Sequence, residues 1–263
     1  MSNESIGKVL IVATGLCVVC SILVSTAAVT LRPAQELNKK LDRQSNILAA
    51  AGLTADTKEA VQQVYDEKIE AKLIELASGS YSDKFSADEF DQREAAKSSE
   101  IGKEISSDQD HGNIKRRSQY STIYLIKDGT NIDGVILPIH GKGLWSTMYG
   151  FIALEPDLKT VKGLGFYEHG ETPGLGGEVD NEKWKALWPG KLAFADGSDD
   201  VAIGLIKGAV DTSRPDAKYQ IDGLSGATIT ARGVTNLLRY WLGPDGFGPY
   251  LNNARANGLS SRS

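Results

Sequence analysis

Residues 121–168 read STIYLIKDGTNIDGVILPIHGKGLWSTMYGFIALEPDLKTVKGLGFYE, and this stretch decides the fold class. It contains four runs rich in Ile, Val, Tyr and Leu, which cover residues 121–127, 132–139, 146–154 and 160–168. Asp128-Gly129 separates the first two runs, and Glu155-Pro156-Asp157 separates the last two. Because short apolar runs punctuated by turn residues are typical of neighbouring strands, the stretch predicts an antiparallel meander.

Helical patterns flank this meander. Asp56 followed by Glu59 resembles a capping box, so it predicts the start of a helix. The expected apolar stripe of that helix ends before Gly79 and consists of Val61, Tyr65, Ile69, Leu73 and Leu76. Residues 80–118 are polar and charge-rich, which predicts a surface excursion or irregular connection. Further elements are expected as a short helix at 182–187, a strand at 201–207 and a final helix at 227–242. Helices combined with an antiparallel sheet define an α+β fold.

The N-terminus carries an uninterrupted apolar span. Residues 9–31 contain no charge over 23 positions, and a helix of that length reaches about 35 Å, enough for a hydrocarbon core of about 30 Å. We predict an uncleaved membrane anchor, because the span is longer than the core of a signal peptide. A cleaved signal is the alternative, since Ser25 and Ala27 form a small-x-small site. The helix is expected to kink or break at Pro33 on leaving the membrane.

Charge does not settle the orientation of this anchor. Only Lys8 precedes the span, whereas Arg32, Lys39, Lys40 and Arg43 follow it, which taken alone favours a cytoplasmic C-terminal domain. Long domains translocate largely regardless of such charges, so both orientations remain open.

Composition excludes several classes of function. Asp and Glu outnumber Lys and Arg by 34 to 29, which argues against a nucleic-acid-binding chain. The three histidines are far apart in sequence and lack metal-ligand spacing. Cys17 and Cys20 lie within the apolar span, so they favour helix packing over a redox or iron–sulfur pair. We therefore predict no metal site.

Two segments carry a binding signal. Residues 171–177, ETPGLGG, have three glycines and one proline, which fits a loop that lets a ligand approach the backbone or an ordinary turn. Residues 222–228, DGLSGAT, lead directly into the final helix. A helix start with small residues suits a phosphate, because unpaired N–H groups and the positive end of the dipole meet there. The alternative is a simple helix cap by Ser225 or Thr228.

The segment DGLSGAT resembles the flavinylation motif that a periplasmic FMN transferase modifies on the last threonine. The chain as a whole is similar to the C subunits of the bacterial Na+-translocating NADH:quinone reductases. This likeness also covers the N-terminal anchor, LPIHGKGLWS at 137–146, the loop at 171–178 and WLGPDGFGP at 241–249.

The resemblance implies covalent FMN, joined through its phosphate to Thr228. The residues expected to bind or line the flavin with it are Ser225, Gly226, Ala227, Leu144, Trp145, Glu171, Thr172, Gly174, Leu175, Gly176 and Lys207. Lys207 is a candidate counter-charge for the phosphate, and Leu144 and Trp145 are candidates to pack on the ring; an ordinary surface lysine and a core tryptophan are the alternatives. Asp222 would repel a phosphate, so we interpret it as a turn or recognition residue. No catalytic acid or base is expected.

The resemblance also implies a place in the cell and a set of partners. The chain would be a single-pass protein of the bacterial inner membrane, with its soluble domain on the periplasmic side. It would relay electrons one at a time inside a six-subunit Na+-pumping complex, without an NADH site of its own, and would contact membrane lipid and the FMN transferase. The corresponding domains are a tail at 1–8, a transmembrane helix at 9–31, a connecting region at 32–118, an FMN-binding domain at 119–250 and a tail at 251–263.

Three other functions compete with this interpretation. One is the equivalent subunit of the related membrane complex that couples ferredoxin and NAD. Another is a membrane-anchored binding module that carries no flavin, in which Thr228 only caps a helix. A free-standing flavin reductase has less support, because no G-x-G-x-x-G fingerprint follows a strand.

Overall fold

The computed structural model describes residues 6–259, and the chain divides into two compact units, Met1–Arg43 and Gln44–Ser263. Parts of the two expected tails, residues 1–5 and 260–263, lie outside the described residues.

The first unit is helical. Helix α1 (Ile6–Ala50) begins in it, and the last residues of α1 belong to the second unit. Its apolar side chains in the predicted span are exposed, and an 18-residue window has a mean hydropathy of 2.5. By length and composition, α1 is the one helix in residues 6–259 that could cross a membrane. The expected break at Pro33 is wrong, because α1 continues through the proline. A proline removes one internal hydrogen bond, which a helix of 45 residues tolerates.

The second unit is built on a six-stranded antiparallel sheet. Its strand order is β2-β1-β5-β6-β7-β8, so the predicted meander from β5 to β8 is confirmed. The strands are β1 (Ile69–Glu75), β2 (Ser80–Tyr81), β3 (Gly102–Glu104), β4 (Arg116–Ser118), β5 (Tyr120–Asp128), β6 (Asn131–Lys142), β7 (Thr147–Leu154), β8 (Val161–Glu168), β9 (Gly204–Leu205) and β10 (Gln220–Ile221). The helices after α1 are α2 (Lys58–Lys68), α3 (Gln92–Lys97), α4 (Glu182–Lys185), α5 (Thr228–Leu242) and α6 (Gly248–Asn257). The α+β class is confirmed.

Both faces of this sheet are covered. Consecutive residues of β5 are buried, which is the pattern of a strand packed on two sides. Tyr124 and Ile126 belong to a core cluster with the end of α1 and with α2. Leu125, between them, belongs to the larger cluster that contains α5 and α6. Because successive side chains point to opposite faces, the two cores lie on opposite sides of the sheet.

The expected second helix is wrong in its second half. Helix α2 ends at Lys68, and the chain continues as β1, which pairs with β5 along its whole length. Ile69 and Leu73 fit a helical stripe because they are four residues apart, but a spacing of four also keeps two residues on one face of a strand. The expected cap is also wrong: Thr57, and not Asp56, accepts a hydrogen bond at 3.2 Å from the backbone N–H of Ala60.

The polar segment 80–118 has more structure than expected. It contains β2, α3, β3 and β4, and Phe90 and Ala95 form a small core with Leu73 and Tyr120. The sequence pattern does not reveal these elements, because each is short and only a few of their side chains are buried.

The last third of the chain contains α5 and α6, which belong to the larger core on one face of the sheet. The predicted short helix forms as α4, and the predicted final helix forms as α5. The strand expected at 201–207 shrinks to β9, which pairs in parallel with β10 outside the main sheet. Helix α6 is absent from the sequence-based prediction and crosses the expected domain boundary at residue 250. Its buried face packs Tyr250, Leu251 and Ala254 into the large core.

Candidate functional site

A buried glutamate joins the two segments that carry the binding signal. Glu171 is 5% exposed, and its carboxylate accepts backbone N–H groups of the hairpin between β6 and β7. The donors and distances are Leu144 at 3.1 Å, Trp145 at 2.9 Å and Ser146 at 3.3 Å. Burial alone would raise the pKa of Glu171, but hydrogen bonds from Thr230 and from these amides hold its pKa below the ordinary value. The side chain is therefore an ionised acceptor that organises the hairpin.

Helix α5 contacts the same carboxylate. Thr230 is 1% exposed, and its hydroxyl donates a hydrogen bond to Glu171. Two glycines leave room for this arrangement: a Cβ on Gly143 would lie 2.6 Å from Glu171 Oε1, and one on Gly176 would lie 2.6 Å from Thr230 Oγ1. The loop 171–177, the hairpin and the first turn of α5 thus form one connected site.

Exposed apolar side chains surround this connection. Leu144 is 41% exposed, Trp145 66%, Leu175 43% and Ile229 54%. Trp145 is held in place because its indole N–H donates to the Thr172 hydroxyl at 3.1 Å. A core tryptophan, the alternative interpretation of Trp145, is therefore wrong. Large apolar side chains left open beside a polar anchor suit a flat aromatic ligand.

The loop glycines differ in what they do. Gly174 is exposed, has a φ of +75°, and no atom lies within 4 Å of a Cβ placed on it, so it permits the turn and faces open space. Gly226 has a φ of +70°, and a Cβ there would lie 2.9 Å from Leu175 Cδ2. This contact brings the loop 171–177 against the segment 222–228.

The start of α5 is not capped by a side chain. The residue at the N-cap is Ala227, which is buried and has no side-chain hydrogen bond to offer. The expected alternative, a cap by Ser225 or Thr228, is therefore wrong. Thr228 is the first residue of the helix and is exposed, as is Ser225 in the preceding loop. The unpaired N–H groups of the first turn remain available to an anion.

A cleft of about 730 Å³ opens beside Thr228, which is within the size range of small-molecule sites. Its walls are the loop after β9, the segment 222–228 and one face of α5. The charged side chains that line it are Lys207, Asp222, Arg232 and Arg239. Lys207 and Thr228 share this cleft, as the counter-charge prediction requires, whereas Asp222 fixes a loop by accepting the backbone N–H of Val210 at 2.8 Å.

Sequence reasoning missed three residues of the site: Ile229, Arg232 and Arg239. A signal for the arginines was present, because they follow Thr228 by 4 and 11 residues, a spacing that keeps them on one face of a helix. Ile229 gave no signal, since an isoleucine in an amphipathic helix is ordinarily buried.

Of the three histidines, His169 contacts the site, because its Nδ1 accepts the backbone N–H of Glu171 at 3.1 Å. Within residues 6–259, no group of three or more His, Cys, Asp or Glu side chains could hold a metal ion. His140 is partly buried, stacks on Tyr149 and lies tilted against Trp241, and desolvation lowers its pKa to about 4, with Arg93 adding to the shift. It is therefore a neutral core residue at pH 7.

The hairpin, the loop 171–177 and α5 belong to a flavin-binding class of domain, because one family model covers all three. The FMN-binding domain family matches residues 143–243, which span the hairpin, the loop 171–177 and α5. The chain is 48% identical to the C subunit of the Na(+)-translocating NADH-quinone reductase of Pseudomonas aeruginosa, over 97% of this chain and 98% of that one. The C subunit of the Vibrio parahaemolyticus reductase is 45% identical, over 98% and 99% of the two chains. The chain belongs to the family of C subunits of the Na+-translocating NADH–quinone reductases, which makes it part of an oxidoreductase complex.

A solved structure agrees with this assignment. The crystal structure of NqrC from Shewanella oneidensis superposes with a TM-score of 0.77 and 34% identity, and covers 84% of this chain and 100% of that one. The predicted family and fold are thus confirmed. The names of these relatives favour neither the ferredoxin-coupled complex nor a module without flavin.

Proposed function

We propose that this chain carries FMN covalently, through a phosphoester to the Thr228 hydroxyl, and relays electrons one at a time within a Na+-pumping NADH–quinone reductase. The membership of the FMN-binding domain family supports FMN as the cofactor. When bound, FMN supplies a ring that takes up and releases electrons. The protein supplies the attachment, the position of the ring and the surrounding charge.

One observation carries the choice of Thr228: the two threonines of the first turn of α5 have opposite environments. The Thr228 side chain is exposed and lines the cleft, whereas the Thr230 hydroxyl is buried and already donates to Glu171. Since consecutive helix residues are about 100° apart, a separation of two turns Thr230 away from Thr228. A phosphate could reach Thr230 only by displacing a hydrogen bond to a buried carboxylate.

The residues around Thr228 fit the parts of FMN. The α5 N-terminus and Lys207 would receive the phosphate, with Ser225, Gly226 and Ala227 forming the approach to it. Leu144, Trp145, Leu175 and Ile229 offer the apolar surface that the flat ring would cover. Thr172 holds the Trp145 indole by a hydrogen bond, and the missing side chain of Gly176 leaves room for Glu171 and Thr230. Gly174 allows the loop to turn without a side chain in front of the ring.

We further propose that α1 anchors the chain in the bacterial inner membrane, with the soluble domain on the periplasmic side. The exposed apolar side chains of α1 support contact with lipid. The periplasmic location follows from the compartment of the FMN transferase, which would modify Thr228 during maturation. The remaining partners would be the other subunits of a six-subunit reductase.

Intact mass spectrometry of the full chain, produced with and without the transferase, tests this function. The wild-type chain should gain the mass of one FMN phosphoester only with the transferase. Thr228→Ala should lose that mass, and Thr228→Ser should restore at least part of it. Ser225→Ala and Thr230→Val are the matched controls, and both should keep the flavin. Flavin retained by Thr228→Ala would overturn the proposal.

A further inference from the structure

His169 joins the two ends of the segment that contains the loop 171–177. Its Nδ1 accepts the backbone N–H of Glu171 at 3.1 Å, and its Nε2 lies 2.7 Å from a carboxylate oxygen of Asp180. Asp180 is the last residue of the short 3-10 helix Gly176–Asp180, which follows the loop. The His169 side chain is only 12% exposed, although the next residue, Gly170, is exposed. An inward-facing histidine thus bridges two points of the chain that are 11 residues apart.

The two contacts fix the position of the proton on this imidazole. Because a backbone N–H donates to Nδ1, that nitrogen carries no proton, and a neutral imidazole then has its proton on Nε2. The Nε2–H group is placed to donate to the carboxylate of Asp180. One neutral tautomer of His169 therefore satisfies both contacts, whereas a doubly protonated ring would offer no acceptor to Glu171.

Asp180 is a fixed end for the bridge. Val179, which precedes it, is fully buried in the large core. Asn181, which follows it, caps α4 by accepting the backbone N–H of Lys183 at 2.9 Å. The bridge therefore ties the start of the loop to a part of the chain that packing and a helix cap hold in place. Closing both ends of a loop restricts the conformations of the residues between them.

The tip of the loop is exposed. Residues 172–175 all lie at the surface, and they reach the rest of the site at two points. The Trp145 indole donates to Thr172, and Leu175 lies beside Gly226. Because exposed segments with little buried surface open easily, the position of the tip depends on how its ends are held.

We propose that His169 is a positioning residue of the flavin site, which holds the loop 171–177 closed so that Thr172 and Leu175 cover the ring. The identity of the covered ligand as a flavin rests on the proposed function. His169 acts through the backbone of Glu171 and through Asp180, and it needs no contact with the ring. Loss of either bond should open the loop and expose the flavin to water.

Acrylamide quenching of flavin fluorescence tests the closed loop in the full-length chain produced with the transferase. His169→Ala should be quenched several-fold more strongly than the wild type, because the quencher reaches an uncovered ring. His169→Asn should restore part of the protection, since an asparagine oxygen can accept the backbone N–H two residues on but is too short to reach Asp180. Asp180→Ala should give an intermediate loss of protection. His111→Ala is the matched control, because it removes an exposed histidine from another loop and should leave quenching unchanged.

Thermolysin digestion of the same variants, produced without the transferase, tests the loop in the absence of flavin. Cleavage on the N-terminal side of Leu175, located by the mass of the fragments, should be several-fold faster in His169→Ala than in the wild type. The rate in His111→Ala should equal that of the wild type. If His169→Ala does not fold by circular dichroism, His169→Asn and Asp180→Ala replace it in both measurements.

Three results would overturn the proposal. Cleavage in His169→Ala no faster than in His111→Ala would show that the bridge does not hold the loop. Faster cleavage with unchanged quenching would show that the loop does not cover the flavin. Equal quenching of His169→Asn and His169→Ala would show that the hydrogen bond to Glu171 has no part in the closure. A wild-type chain that takes up no flavin would instead refute the proposed function, and the cleavage rates would still decide whether His169 holds the loop.

Discussion

At the scale of single residues, the site depends on the buried carboxylate of Glu171, which forms no ion pair in the part of the chain that the structure describes. Hydrogen bonds from backbone amides of the hairpin and from the Thr230 hydroxyl offset the cost of burying the negative charge of Glu171. A buried carboxylate that loses such donors is costly, so the hairpin, the loop 171–177 and α5 are tied to one side chain.

The charge of Glu171 predicts an acid dependence of stability. Its pKa is depressed in the folded chain, so it stabilises the fold above the range where an unfolded glutamate titrates. That contribution should disappear as the pH falls through the depressed pKa. Glu171→Gln should cost about 1–3 kcal/mol at pH 7, since an amide cannot accept all four hydrogen bonds, and should flatten the acid side of the profile.

Denaturant unfolding of the full chain between pH 7 and pH 3 measures this effect. Glu182→Gln serves as the control, because Glu182 is exposed on α4 and should shift stability by less than about 0.5 kcal/mol. A Glu171→Gln protein as stable as the wild type at pH 7 would show that the carboxylate does not hold the site together.

At the scale of elements, α5 approaches the end of β6 closely enough to exclude side chains. A Cβ on Gly233 would lie 2.5 Å from the carbonyl oxygen of Lys142 and 3.3 Å from Gly143 Cα. Both neighbours are backbone atoms, which cannot rotate away. Gly233→Ala should therefore destabilise the domain by about 1–3 kcal/mol, although alanine favours a helix by about 1 kcal/mol.

Thermal unfolding of Gly233→Ala against Gly165→Ala checks this packing. Gly165 lies in β8, at the edge of the same sheet, and a Cβ on it meets no atom within 4 Å. Equal stability of the two variants would mean that α5 can move away from the hairpin, and the site would then be less rigid than its contacts indicate.

The loop 171–177 makes a second prediction at this scale. Gly174→Val is a poor probe of a flavin, because a φ of +75° strains any valine whether or not a ring lies nearby. Leu175→Ala is cleaner: Leu175 is partly exposed and contacts the segment at Gly226. It should change the absorption and fluorescence of the attached flavin while leaving stability almost unchanged.

Leu37→Ala, which truncates an exposed leucine of α1, is the control for Leu175→Ala. An unchanged flavin spectrum in a folded Leu175→Ala protein would show that the loop 171–177 is an ordinary turn that does not contact the flavin. The same comparison separates a ring contact from a general loss of apolar surface.

The elements also explain which features the sequence could predict. The meander and α5 were predictable, because their apolar runs, turns and helix start are local signals. Strand β1 was not, since Ile69 and Leu73 fit a helix or a strand, and only pairing with β5 decides between them. In the sequence Glu171 is part of a glycine-rich loop, but its partners Leu144 and Thr230 are 27 and 59 residues away. No local pattern records contacts at such separations.

At the scale of the whole molecule, the orientation of the anchor decides on which side of the membrane the proposed flavin site lies. The cations after the predicted span favour a cytoplasmic domain, whereas the proposed flavin transfer outside the cytoplasm would require an exported one. The domain after the span is long, so translocation against the local charge is physically allowed. We therefore predict that the N-terminal span is retained and that the C-terminus lies in the periplasm.

Reporter fusions at the C-terminus test this orientation. An enzyme that is active only after export should be active there, and a fluorescent protein that matures only in the cytoplasm should be dark. The same reporters fused ahead of Met1 should give the opposite pattern. A bright cytoplasmic reporter at the C-terminus would contradict both the orientation and the access of a periplasmic transferase to Thr228.

Peptide mapping of the flavinylated chain locates the covalent flavin. The chain produced with the transferase is digested, the fluorescent peptide is isolated, and tandem mass spectrometry assigns the modified residue. Residues 225–230 offer three hydroxyls, at Ser225, Thr228 and Thr230. We predict the FMN phosphoester on Thr228 alone. Flavin on Thr230, whose hydroxyl is buried against Glu171, or on Ser225 would contradict it.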